Sequence, residues 1–109
     1  MTYANLQSVQ PKFTALADPT RRTVFEIVAK GPHPVTRIAA QLSVSRPAVS
    51  QHLKVLMDAG LVTRRPSGRN NIYQAEPASI ADLRQYLDTL WSEVLSRFEA
   101  EMMKDGKDA

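Results

Sequence analysis

The sequence predicts a mostly α-helical domain with one small β-hairpin, and three observations carry that prediction. Apolar residues recur at helical spacing in three central segments and in one long C-terminal segment, which marks helices with one buried face. Two strand-like runs after Gly60 flank a basic, glycine-containing turn. Gly31, Pro32 and Pro34 interrupt the helical pattern, so the elements are separate rather than one continuous helix. A chain of 109 residues is expected to be a single domain, 1–109. It is large enough for a core but small enough that a second copy would contribute much of its apolar burial.

The first helix with a clear start follows Asp18. A carboxylate there can accept from free amides of the first turn, and Pro19 loses little by lacking an N–H at that place. Thr20 to Lys30 then forms a helix with Val24, Ile27 and Val28 inward. Arg21 and Arg22 are expected in solvent, with phosphates near the helix start as their alternative partners. The next segment, PVTRIAAQLSVS, reads as a short helix capped by Thr36 and turning Ile38, Ala39 and Leu42 inward.

Ser45 to Gly60, SRPAVSQHLKVLMDAG, carries the most information. Ser45 can cap the helix, and Gly60 can take the left-handed conformation that closes it. At about 100° per residue, Ala48, Val49, His52, Leu53, Val55, Leu56 and Ala59 form one apolar stripe. Ser45 stands at the entry to the opposite face, which carries Arg46, Pro47, Ser50, Gln51 and Lys54 and no negative charge before Asp58. Short hydrogen-bonding groups and cations suit base edges and phosphate oxygens in a major groove that admits a helix. Short helix, turn and longer helix over 36–59 make a helix-turn-helix whose second helix has the character of a DNA reader.

Residues 61–75 follow as a hairpin, with Leu61 to Thr63 and Ile72 to Gln74 as its strand-like runs. Arg64, Arg65 and Arg69 make it basic, so it can act as a wing against the sugar-phosphate backbone or an adjacent minor groove, with Arg69 at the tip. The same residues, with Pro66, would also protect an exposed sheet edge.

Residues 80–103 carry Leu83, Leu87, Leu90, Trp91, Val94, Leu95, Phe98 and Met102 at helical spacing. A helix of that length, about 36 Å, outruns a small domain and leaves its distal apolar residues wet in a monomer. Pairing of two copies resolves this, with Leu87, Leu90, Trp91, Val94, Leu95 and Phe98 in the interface. The segment 1–17 is expected to add Leu6, Val9, Phe13 and Leu16, while Leu83 and Leu87 also suit an intramolecular core. The stripe is broader than a strict coiled-coil seam. Glu76 and Pro77 separate the wing from this helix.

The formal charge is only +3, with a pI near 9.5, so placement matters more than the total. Basic residues concentrate in the middle and acidic ones after Glu93, so the tail is expected to lie away from a bound duplex. No stretch is long or apolar enough for a membrane span, and the start lacks a secretory signal. Cytoplasmic residence is the expectation, and the absence of cysteine fits it.

In LADPTRRTVFEIV (Leu16–Val28), SRPAVSQHLKVLMDAGLV (Ser45–Val62) and GRNNIY (Gly68–Tyr73), taken in order and spacing, the chain resembles the ArsR-like winged helix-turn-helix transcription regulators of bacteria and archaea. The resemblance spans most of Phe13 to Ala75. It implies helices packed around a three-helix core, with the terminal helices forming a dimer interface. It also implies a homodimeric regulator of double-stranded DNA, most often a repressor. Many members of that family respond to metals through thiolates on the short helix, where this chain has Pro34 and Thr36. A second family site pairs Asp and His on the last helices, yet no histidine follows His52. Transition metals favour imidazole and thiolate ligands, so no metal and no cofactor is expected. Asp82, Asp88 and Glu93 then read as a solvated face, His33 as an exposed turn residue and His52 as a hydrogen-bonded packing residue. Met57, Met102 and Met103 read as packing residues. No catalytic constellation emerges, and the sequence names no effector. The competing reading is a winged-helix protein-interaction module without DNA binding.

Overall fold

The computed structural model describes the backbone of residues 6–108 and the side chains of residues 7–104. Residues 1–5 of the segment expected to dimerise, and the side chain of Leu6, lie outside the described residues. Helix α1 (Leu6–Ala17) runs into α2 (Pro19–Ala29) through a one-residue corner at Asp18. The Asp18 carboxylate accepts from the Arg21 amide at 2.8 Å, and Pro19 occupies the first helical position. Arg22 is exposed as expected and Arg21 is half-buried, and both have a further role. Arg21 Nε donates to the Ala15 carbonyl at 2.7 Å and Arg22 Nη1 to the Leu16 carbonyl at 3.2 Å. The last carbonyls of a helix lack intrahelical partners, and these two arginines supply them, fastening α2 to the end of α1.

The next elements are β1 (His33–Pro34), α3 (Val35–Ala40), α4 (Arg46–Asp58), β2 (Val62–Ser67), β3 (Asn70–Ala75) and α5 (Pro77–Asp108). The hairpin is joined by β1 to make a three-stranded antiparallel sheet of order β1-β3-β2, with His33 opposite Tyr73 and Pro34 opposite Ile72. This pairing corrects two expectations. Pro34, extended at φ −77° and ψ 160°, is the N-cap of α3, and no side chain caps that helix. Thr36 lies inside the first turn, exposed, because the sheet holds the chain extended up to Pro34 and releases it into the helix at Val35. His33 is half-buried rather than exposed, with Nδ1 2.6 Å from the Gly31 carbonyl oxygen.

The core joins Val24, Ile27 and Val28 of α2, Ile38 of α3, and Val49, Leu53 and Leu56 of α4 to Leu61, Val62 and Tyr73. Val9 and Ala15 of α1 and Leu83 of α5 close it. Fully burying one such aliphatic side chain is worth about 1.5–3 kcal/mol, so these residues fix the orientation of α4.

Helix α5 starts three residues earlier than expected. The Glu76 side chain accepts from the Ala78 amide at 3.3 Å and Pro77 takes the first helical position, so these two residues begin the helix rather than separate it from the wing. Its first turns dock through Leu83, through a hydrogen bond from Ser79 Oγ to the Gly60 carbonyl, and through an edge-to-face contact of Tyr86 with Phe13, ring centres 5.6 Å apart. Asp82 is not simply part of a solvated face, because its carboxylate lies 3.6 Å from the ammonium of Lys12, which is buried on α1. Beyond those turns α5 runs on, about 48 Å in all at 1.5 Å per residue, and gives the molecule its 68 Å long axis. Among the described residues no helix is long and apolar enough to cross a membrane.

Candidate nucleic-acid interface

The α4 helix is closed at both ends by its own sequence. Ser45 Oγ accepts from the Ala48 amide at 3.3 Å. At the other end Gly60, at φ +81°, donates to Met57 O at 2.9 Å, and Leu61 donates to Leu56 O at 3.0 Å. That pair of bonds is the Schellman arrangement, and Leu56 and Leu61, both fully buried, supply its apolar contact. A fixed end matters here because the chain turns from Gly60 straight towards the wing.

Between its caps α4 divides as the periodicity requires. Val49, Leu53 and Leu56 are fully buried, and Ala48, His52, Val55 and Ala59 are half-buried. Ser45, Arg46, Pro47, Ser50, Gln51 and Lys54 are all exposed. His52 is near enough to Asp18, the cap of α2, to act on it electrostatically. The Asp18 carboxyl is held below the usual carboxylate range first by its hydrogen bond from the Arg21 amide, against the opposing effect of burial, with the charges of Arg21 and His52 adding to it. Lys54 is engaged on the surface, its Nζ 3.0 Å from Asp58 Oδ2.

The wing is narrow. Ser67 pairs with Asn70, leaving Gly68 and Arg69 as a two-residue connection. Gly68 has φ +61° and among the described residues no non-glycine residue has positive φ, which is the type II′ pattern and leaves Arg69 at the tip. Residues 63–71 are exposed throughout. Arg64 stands opposite Tyr73 and Arg65 opposite Ile72. Because side chains alternate across a strand, these two arginines leave the ribbon on opposite faces and do not form one patch. Asn70 and Asn71 follow Arg69 and are also exposed; in the sequence they read only as part of a glycine-containing turn. Their amides are groups that can bond minor-groove edges.

The residues expected at a dimer interface lie elsewhere. Leu87, Leu90, Val94 and Leu95 are exposed along α5, Trp91 is 62% and Phe98 60% exposed, and Phe13 is partly covered by Tyr86. Leu83 belongs to the core and Leu87 does not. Met57 packs against the core, whereas Met102 and Met103 are exposed beside the distal stripe. Among the described residues no group of three or more His, Cys, Asp or Glu side chains could hold a metal ion.

Comparison with known proteins places this geometry. The family described as "Bacterial regulatory protein, arsR family" matches residues 18–64, from the α2 cap into β2. An HTH-type transcriptional regulator of Mycobacterium tuberculosis, Rv2034, is 48% identical over 94 residues, 86% of this chain and 88% of the relative. A solved structure, an ArsR-like transcriptional regulator from Rhodococcus sp. RHA1, superposes with a TM-score of 0.78 at 28% identity, covering 89% of this chain and 92% of that one. The homodimeric winged helix-turn-helix DNA-binding domain of Mb0332 from Mycobacterium bovis, a possible ArsR-family regulator, gives a TM-score of 0.66 at 26% identity, covering 86% and 87% of the two chains.

Proposed function

This chain belongs to the ArsR family of bacterial regulatory proteins, and from that premise we propose that it is a homodimeric, sequence-specific DNA-binding repressor acting in the cytoplasm. The α4 helices of two subunits enter successive major grooves of a pseudo-palindromic operator, and the wings meet the flanking backbone or minor groove. Repression follows from occupancy, since a dimer seated on a promoter excludes polymerase. The observation that carries this reading is the division of α4. Three fully buried aliphatics orient a helix whose opposite face is wholly exposed, polar and cationic, and an arginine-tipped hairpin begins four residues after the helix ends.

The roles separate by chemistry. Ser50 and Gln51 are hydrogen-bonding groups suited to base edges, and Arg46 and Lys54 are suited to phosphates flanking them. Ser45 and Pro47 set the first turn close to the backbone. Arg69 leads the wing, and one of Arg64 and Arg65 supports it on the face turned to the duplex.

Genomic fragments selected by the protein would supply the operator, and titrations of operator and scrambled duplexes over a salt series would test the roles. Gln51→Ala is expected to lose operator preference while keeping non-specific binding. Arg69→Ala is expected to weaken binding to both and to flatten the salt dependence by about one charge per subunit. Wild-type affinity of both variants for both duplexes would favour a protein-interaction module instead.

Metal is expected to have no part in control. The chain has no cysteine, and its two histidines lie apart from α5, one against Gly31 and one near Asp18. Stoichiometric zinc added to stripped protein is expected to change operator affinity by less than about tenfold, roughly 1.4 kcal/mol. A larger change would refute metal independence.

A further inference from the structure

We propose that Asp58 is a built-in attenuator of DNA affinity, holding the Lys54 ammonium away from the phosphates it would otherwise contact. The inference rests on the reading above, that the outer face of α4 meets DNA, and adds a residue to it whose effect has the opposite sign.

Asp58 stands alone in charge. From Ile27 to Ala75 it is the only acidic residue, in a stretch that carries Lys30, Arg37, Arg46, Lys54, Arg64, Arg65 and Arg69. Its carboxylate contacts one of those cations, with Oδ2 3.0 Å from Lys54 Nζ, and both side chains are about two-thirds exposed, 67% and 63%.

Fold stability does not account for an acid at this position. Asp58 is the last residue of α4, where the partial negative charge of the helix C-terminus disfavours a carboxylate. The cation precedes the anion by four residues, which is the weaker order for such a pair. Exposed pairs contribute little in any case. The helix end is already closed by the Gly60 and Leu61 amides, without help from this side chain.

The consequence falls on binding. A lysine on the reading face neutralises a phosphate and releases counterions on contact. For Lys54 to do so it must leave Asp58, and the carboxylate then remains one helical turn away, repelling the same phosphates. Because phosphates carry no sequence information, the attenuation applies equally to operator and to other DNA. It lowers overall occupancy while leaving discrimination to Ser50 and Gln51.

The test uses four full-length proteins: wild type, Asp58→Asn, Lys54→Met and the double variant. Each is titrated on a selected genomic operator fragment and a scrambled duplex over a salt series, with thermal melts alongside. Asp58→Asn is expected to bind both duplexes about three- to tenfold more tightly, with a steeper salt dependence and an unchanged or higher Tm. In the Lys54→Met background the Asp58→Asn gain is expected to shrink to the smaller part that comes from direct repulsion between the carboxylate and the phosphates. Wild-type affinity of Asp58→Asn overturns the proposal, as does a gain that persists undiminished without Lys54, since that is removal of a general negative charge. A lowered Tm for Asp58→Asn also overturns it, because the residue would then be structural. Failure of the underlying reading has a separate signature, in which Lys54→Met and Gln51→Ala both bind DNA as wild type does. Weakened binding by Lys54→Met with a silent Asp58→Asn sinks the attenuator alone.

Discussion

Helices α4 and α5 both expose one face, and the chemistry of those faces differs. The exposed face of α4 is polar and cationic and is stable in water as it stands. The distal face of α5 presents Leu90, Trp91, Val94, Leu95 and Phe98 to solvent over several turns, a contiguous apolar surface of the kind that monomeric proteins rarely keep uncovered. One helix face is complete in a single chain, whereas the other leaves a large apolar area uncovered. A second copy of α5 would cover that area by symmetry, because an isologous contact places the same apolar patch on both sides.

The largest expected effect comes from breaking that second case. Leu90→Asp with Val94→Asp puts two carboxylates into the proposed interface of each subunit, and unpaired buried charges cost several kcal/mol each, roughly enough to dissociate a dimer. Analytical ultracentrifugation is expected to show monomers, with secondary structure by circular dichroism retained because both residues lie outside the core. A double variant that stayed dimeric would move the interface off this face and leave the apolar stripe of α5 without its proposed occupant.

An intermediate effect is expected where α5 is fastened to the reading end. Lys12 is buried on α1 with Asp82 beside it at 3.6 Å. Removing the acid strands a charge, so Asp82→Ala is expected to lose about 1–3 kcal/mol of stability in urea unfolding, less than for a fully buried pair because Asp82 is itself half-exposed. Lys12→Met, which replaces the charge by a flexible apolar chain, is expected to be near neutral. Equal losses from the two variants would mean that Lys12 works through a contact other than Asp82, and the joint between α1 and α5 would need a different account.

Local chemistry was legible in the sequence and long-range pairing was not. Ser45 and Gly60 mark the ends of α4 because caps and left-handed glycines act over three or four residues, and the buried face of α4 follows from helical period alone. The hairpin was legible from the runs Leu61–Thr63 and Ile72–Gln74 around a basic, glycine-containing turn, but its strands extend further, to Ser67 and from Asn70, and leave only Gly68 and Arg69 as the connection. Strand β1 was not legible, since two residues paired to a strand almost 40 positions later leave no periodic trace, and the misplaced cap at Thr36 is the direct result. Lys12 was hidden for another reason. A lysine is assigned to solvent unless its partner is known, and that partner lies on α5. Arg21 and Arg22 were read by charge, when their geometry over the end of α1 decides their role. Exposure of the outer face of α4 follows from local pattern, but which of Arg64 and Arg65 would face a duplex in the proposed complex depends on the register of β2 against β3.

The smallest expected effect lies at Asp18, the corner between α1 and the helices that carry α4. The Arg21 amide, with the charges of Arg21 and His52, holds this carboxyl below its ordinary value of 3.8 in the folded protein. A folded-state value below the unfolded one means that the charged cap stabilises the fold above the unfolded value and that this contribution is lost as the pH falls through the folded one. Asp18→Asn keeps a capping oxygen and removes the charge. The Tm of the wild type is therefore expected to exceed that of Asp18→Asn by a constant margin between about pH 5 and 7, and the margin is expected to close as the pH falls below 3.8 and through the lowered folded-state value. The cores of α2 and α4 are the same in both proteins, so a margin that survived into strong acid would assign the cap's contribution to hydrogen-bond geometry rather than charge.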